Sequence, residues 1–294
     1  MSLERTYEIE APPEPATPWK EYEHIIKQEW DSLLNSNPPP SEQLVQEFLE
    51  KHPSMVPGAF GLLGNESGHY PITNGVITQA PLPSYNRRVP DFMWLSQSSD
   101  MEQPVLVEIE SPSKKWFTKT GQQTKDFTQA LNQIVEWKTW FNVPHNIQAF
   151  KEFYGLDRFA FYKRRFKPAY LLIYGRRAEA NARHSLTEKR AYLFPDDVIG
   201  MTFDRLQPNP KAEELVCLRA EGAGSFRVVT VPPTLQWNPG LEKDRAKIHG
   251  WQYAIEANTN ITRTRKEFLI RRRAYWDVWG QGESRGVINC RDRE

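Results

Sequence analysis

The sequence predicts an α/β fold, a central mixed β-sheet flanked by helices, with a C-terminal appendage. Three observations predict it. Apolar residues follow helical spacing as far as Lys51 and then switch to strand-like runs near 88–110. A continuous apolar stretch, YLLIY at Tyr170–Tyr174, lies between Pro168 and Gly175, as a strand buried on both faces does. Helix-type and strand-type segments then alternate to about Leu206. The 294 residues suffice for one well-buried domain plus a smaller attachment.

Taken in order, residues 1–18 are acidic and proline-rich without apolar periodicity, and are expected as a disordered acidic tail. Residues 19–40 form an N-terminal helix and linker. Tyr22, Ile25, Ile26, Trp30, Leu33 and Leu34 keep helical spacing over Lys20–Leu34, and Pro38–Pro40 end the unit. Residues 41–207 form the main domain. Ser41 is a natural N-cap for a helix over Glu42–Lys51, which Pro53 stops. Residues 54–86 read as loop with a short hairpin near Gly75. Arg88–Leu95 and Val105–Glu110 read as strands joined by the polar turn Ser96–Gln103.

A long helix is expected over Gln122–Phe141, with Phe127, Leu131, Ile134, Val135 and Phe141 on one side and Gln129, Gln133, Trp137 and Trp140 as an adjacent stripe. Ala169–Tyr174 is a strand, Glu179–Tyr192 a helix and Val198–Phe203 a further strand. Residues 208–294 are the appended region. It is proline-punctuated and closes on a helix over Ile261–Trp279, which carries six basic residues between Arg263 and Arg273.

Composition narrows the function. No run of 18 apolar residues exists, so no membrane span is expected. The N-terminus lacks the basic start and apolar stretch of a signal peptide. The two cysteines, Cys217 and Cys290, stand far apart and form no CxxC, which argues against zinc and fits a reducing cytoplasm. The net charge of +1 hides an asymmetry. Residues 1–60 hold 4 Lys and Arg against 11 Asp and Glu, whereas 151–190 hold 11 against 4. A basic body can meet a polyanion through phosphate contacts, although charge runs are commonly just solvated surface. Neither a GxxxxGK[ST] loop, a GxGxxG after a strand nor a GxSxG elbow occurs, and the six histidines are scattered singly.

The chemistry-bearing residues lie in VPDFMWL and PVLVEIESPSKK. In a strand, residues i and i+2 share a face about 6.5–7 Å apart, so Glu108 and Glu110 point the same way with Ile109 opposite. Asp91 sits on the preceding strand, and an antiparallel pair would bring three carboxylates together. Such a cluster repels itself unless a hard cation such as Mg²⁺ relieves it. The plainer alternative is an acidic hairpin edge with each charge solvated.

A PD followed about 16 residues later by ExE is similar to the PD-(D/E)XK phosphodiesterase motif. SEQLVQEFLEKHP, QALNQIVEW, PAYLLIYGRR and VIGMTFDRL, in this order across Ser41–Leu206, narrow the resemblance to the Shedu antiphage nucleases. The resemblance implies a restriction-endonuclease-like core, a nuclease-like domain over 41–207, and a Mg²⁺- or Mn²⁺-dependent endonuclease acting on double-stranded DNA. It also implies a homo-oligomer, dimer or tetramer. By the resemblance, Asp91 and Glu108 are metal-binding acids and the Ile109 carbonyl completes their site. Gln133, with Trp137, orients a water or phosphate, and Glu42 contacts the site through water. The family usually carries Lys where this chain has Glu110. Three readings follow, in order: Glu110 is a general base or further ligand; Lys114 or Lys115 supplies the cation from a few residues on; or the site is impaired and the chain is a DNA-binding or sensor protein. Arg87, Arg88, Lys114, Lys115, Arg164 and Arg165 are the expected phosphate contacts.

Overall fold

The computed structural model describes residues 4–62, 67–83, 89–156, 164–181, 184–282 and 286–294. Among them, helices flank one nine-stranded mixed sheet, which meets the α/β class and the mixed, helix-flanked sheet expected. Helices α1 (Trp19–Leu34) and α2 (Glu42–Lys51) come first, and Ser41 Oγ caps α2 by accepting the Leu44 N–H at 3.3 Å. Strand β1 (Gly75–Thr78) stands where the loop with its hairpin was expected. It pairs antiparallel with β2 (Phe92–Gln97), which pairs antiparallel with β3 (Met101–Ile109). Helices α3 (Lys125–Phe141) and α4 (Pro144–Tyr154) follow, with Thr124 capping α3 through the Phe127 N–H.

Strands β4 (Arg165–Phe166) and β5 (Ala169–Ile173) both run parallel along one edge of β3, interrupted where Pro168 lacks an N–H. The helix expected over Glu179–Tyr192 is two short ones, α5 (Arg177–Asn181) and α6 (His184–Ala191), before the edge strand β6 (Val198–Met201).

Two-residue alternation divides the core into two layers. From β2, β3 and β5, Met93, Leu95, Leu106, Tyr170 and Leu172 join α3 residues Phe127, Ala130, Ile134 and Trp137 on one face. Phe92, Trp94, Val105, Val107, Leu171 and Ile173 meet α1 and α2 residues on the other. Trp94 and Trp137 are fully buried, and each buried side chain of this size contributes about 3 kcal/mol.

Two expectations give way here. The appended region adds strands β7 (Val216–Gly222), β8 (Ser225–Thr230) and β9 (Ile248–His249) to the same sheet, β7 running parallel to β1. Helices α7 (Pro239–Arg245), α8 (Trp251–Ala257) and α9 (Arg263–Gln281) complete it, and its aromatics Trp237, Trp251 and Trp276 are core residues. Of the six basic residues at the start of α9, Arg265, Arg272 and Arg273 are buried. Arg273 and Arg245 share the fully buried Glu242 at 2.7 and 3.1 Å. Removing one partner of such a set costs about 3–5 kcal/mol.

The N-terminal tail, expected to be disordered, is ordered from Glu4 onward because α9 and the C-terminal segment satisfy it. Tyr7 is buried and donates to Asp292 at 2.9 Å, Trp279 donates to Thr6 at 3.1 Å, and Arg271 donates to Glu10 at 2.9 Å.

Candidate active site

The β2–β3 register carries the predicted acids to one place. Phe92 pairs with Val107, so Asp91, one step before β2, and Glu108, one step after Val107, come to the same end of the strand pair. The chain turns at Pro90, where Ala80 N–H meets the Pro90 carbonyl at 3.0 Å, so Asp91 stands just outside the strand expected to contain it. Its Oδ2 accepts the Ile109 N–H at 2.9 Å and its Oδ1 accepts from Gln79 at 3.2 Å. Asp91 and Glu108 are both buried.

Burial pushes the Asp91 carboxyl up to about 7. The charges of Glu42 and Glu110 act in the same direction, against the Ile109 N–H and Gln79. Burial and Glu110 also raise Glu42, which stands at the first turn of α2 and shares a hydrogen bond with Glu110. Glu110 lies one residue past β3, where its backbone N–H continues the ladder to Ile173 at 3.1 Å.

Lys114 returns to this spot. Its Nζ pairs with Glu110 Oε2. Burial opposes the charged ammonium, but the hydrogen bond and charge of Glu110, with Glu42 and Asp126, raise its pKa. The loop that aims it is fixed from behind. Glu179 accepts the N–H groups of Trp116 and Phe117 at 3.0 and 3.1 Å. Gly175, at φ +59°, lets the Lys114 carbonyl approach so closely that a Cβ there would lie 2.8 Å from it. Sequence reasoning missed Gln79, Glu179 and Gly175 as supports. Only Gly175, at the end of an apolar strand, carried a local signal.

The other expected residues divide. Gln133 is buried on α3 in the layer into which Glu108 points, so it is no surface glutamine. Trp137 is fully buried core. Lys115 is exposed on the loop beside Lys114. Arg165 pairs with Met101 at the start of β3, and Arg164 donates to Gln97. Seven residues of strand, about 23 Å, separate that end from Glu108, so Arg164 and Arg165 do not flank the acids. Arg87 and Arg88 lie outside the described residues.

Among the described residues no three His, Cys, Asp or Glu side chains are gathered as a ready metal cage. The donors present are oxygens only. Two buried acids at the shared end of β2 and β3, with Glu42 and Glu110 adding charge at Asp91, suit a hard cation that keeps waters and is completed by a substrate phosphate. Carboxylate oxygens are the donors that hard cations such as Mg²⁺ or Mn²⁺ take.

Residues 40–207, more than half of the chain, match the family model described as Shedu protein SduA, C-terminal. No curated protein matches the chain. Among the described residues no helix is long and apolar enough to cross a membrane.

Proposed function

The chain belongs to the Shedu protein SduA, C-terminal family, and from that membership we propose that it is a metal-dependent DNA endonuclease of antiphage defence on a PD-(D/E)XK-type core. The observation that carries this reading is that the buried acids Asp91 and Glu108 stand at the shared end of β2 and β3, with the Lys114 ammonium brought onto Glu110 near Asp91.

Asp91, Glu108 and the Ile109 carbonyl would hold Mg²⁺ or Mn²⁺. Such a cation lowers the pKa of a bound water and offsets charge on a phosphodiester. The chain's own groups do the rest. The contact between Lys114 and Glu110 favours the second of the three readings of the missing lysine. Lys114 would supply from beside residue 110 the positive charge that a lysine at 110 supplies, with Glu110 holding it. Gln133, buried facing the Glu108 layer, orients the water or a phosphate oxygen. Water oxygen forms the new bond to phosphorus and gives up its proton to solvent, the bond to one bridging sugar oxygen breaks and that oxygen takes a proton from solvent, and Lys114 offsets the charge that develops. Double-stranded DNA is the substrate and a homo-oligomer, dimer or tetramer, the working form.

One observation favours a second reading, a catalytically impaired DNA-binding or sensor protein. Both Asp91 oxygens are engaged, by Ile109 and Gln79, and no three-acid cage is formed among the described residues. Plasmid incubated with Mg²⁺ or Mn²⁺ and the wild-type chain, Asp91→Ala or Glu108→Ala separates the two. Nicking by wild type alone is expected. Equal nicking by all three, or none by any, defeats the catalytic assignment. Light scattering gives the oligomer, and a monomer would contradict that part.

A further inference from the structure

A cleft of about 630 Å³ opens beside the acids, between the 112–119 loop, the start of α3 and helices α5 and α6. Its wall carries Lys114, Lys115, Lys119 and Arg176 beside one acid, Glu179; Arg176 is ion-paired with Asp204 at 2.9 Å and Lys114 with Glu110. The Glu179 carboxylate is already turned to the backbone N–H groups of Trp116 and Phe117. The hydroxyls of Ser113 and Thr118 add polar groups along the same wall. A lone phosphate would leave most of this space empty, since volumes of this order accommodate a drug-sized ligand.

The cleft and the acid site share one residue. Lys114 lines the cleft while its ammonium contacts Glu110. The cleft therefore begins where a phosphodiester at Asp91 and Glu108 would end, and continues away from it along cations. The loop is pinned on its far side as well. Thr124 Oγ1 and Tyr174 Oη both donate to the Lys115 carbonyl, at 2.6 and 3.2 Å, and Lys189 donates to the Gly121 carbonyl at 2.7 Å. A preformed cationic track with hydroxyl groups suits the repeating anions of a nucleic-acid backbone.

We infer that this cleft holds the phosphates of the DNA strand on one side of the scissile bond, with Lys115 and Lys119 as backbone contacts and Lys114 as the link to the acids. The inference deepens the nuclease reading and rests on it for the strand's course past Glu110, but the binding it describes needs no cleavage.

The test is fluorescence anisotropy of a short fluorescein-labelled duplex with the full chain in EDTA, across a salt series. Lys115→Glu with Lys119→Glu is expected to weaken binding about tenfold or more and to lower the slope of log K against log salt by about two, one for each phosphate that is no longer neutralised. Arg164→Glu with Arg165→Glu, at the far end of β3, is expected to leave both unchanged. Unchanged affinity and slope in the Lys115/Lys119 variant, at wild-type melting temperature, would overturn the inference. So would full displacement of the duplex by equimolar AMP, which would mark a mononucleotide site. A wild-type chain that binds the duplex through these lysines yet never nicks plasmid would sink the nuclease reading and leave the cleft standing.

Discussion

Gln79 holds Asp91 twice: its side chain donates to Oδ1 at 3.2 Å and its backbone N–H donates to the Asp91 carbonyl at 2.8 Å, from a left-handed backbone with φ +45°. A non-glycine residue there costs of order 1 kcal/mol and persists only where the surroundings require it. The two roles can be separated. Gln79→Gly removes the side-chain bond and relieves the backbone, so the melting temperature is expected to hold or rise slightly. Metal-dependent nicking is expected to fall about 10–100-fold, the usual cost of losing a group that orients a metal-binding acid. Wild-type nicking by Gln79→Gly would remove Gln79 from the site.

The Lys114–Glu110 contact leads to a swap experiment. Lys114→Ala is expected to lower nicking by about 100-fold, the scale of removing one charge-stabilising donor. Glu110→Lys combined with Lys114→Ala returns an ammonium to the strand position that the family usually uses, and is expected to recover at least tenfold of that loss. A double variant as inactive as Lys114→Ala would show that Lys114 acts through its own position, and an active Lys114→Ala would show that it is dispensable.

Gly175 sets how near the Lys114 loop comes. A Cβ at this position would meet the Lys114 carbonyl at 2.8 Å and Trp116 Nε1 at 2.9 Å, in a backbone with φ +59°. Gly175→Ala is expected to cost about 1–3 kcal/mol, seen as a melting temperature lower by several degrees. Nicking, measured well below the melting temperature, is expected to fall as well, because the loop must shift together with Lys114. Loss of stability with full activity would separate the loop from the chemistry.

What the sequence disclosed followed the range of the interaction. The β2–β3 pair and α3 are local patterns, alternation and helical spacing, and the places of Asp91, Glu108 and Gln133 on them were legible, while their roles came only with the resemblance. Lys114 was one of two candidates for the relocated cation, but only a folded turn could bring it back onto Glu110. Gln79 lies in no motif; its role exists only because the chain brings Asp91 beside it, twelve residues on.

The C-terminal region misled for the same reason. Val216 and Cys217 pair with Gly75 and Val76 across some 140 residues, which no local period announces. Nothing in the run of basic residues on α9 announced that Glu242, distant in sequence, is buried against Arg273. The acidic tail likewise looked unfoldable until Arg271 supplied its partner.

The end of α2 opposite Glu42 carries a pH-sensitive group. His52 is fully buried, with Tyr22 Oη on Nδ1 at 2.8 Å and Glu29 Oε2 on Nε2 at 3.2 Å. Both contacts are satisfied by a neutral ring, with Tyr22 donating to Nδ1 and Nε2–H donating to Glu29. Burial, joined by the charge of Lys51, holds the imidazole down at about 4 against the pull of Glu29. An unfolded histidine titrates near 6.5. Between these values the unfolded chain binds the extra proton, so stability rises with pH across the window and is lost as pH falls through it. By pH 5 the loss from this one group is about 2 kcal/mol. Glutamine can accept and donate in the same two directions without titrating. Urea unfolding at pH 7 and pH 5 is therefore expected to show a smaller acid loss in His52→Gln than in wild type, by about that amount. Parallel losses in the two proteins would mean that His52 is protonated in the folded state or that other groups set the acid limb.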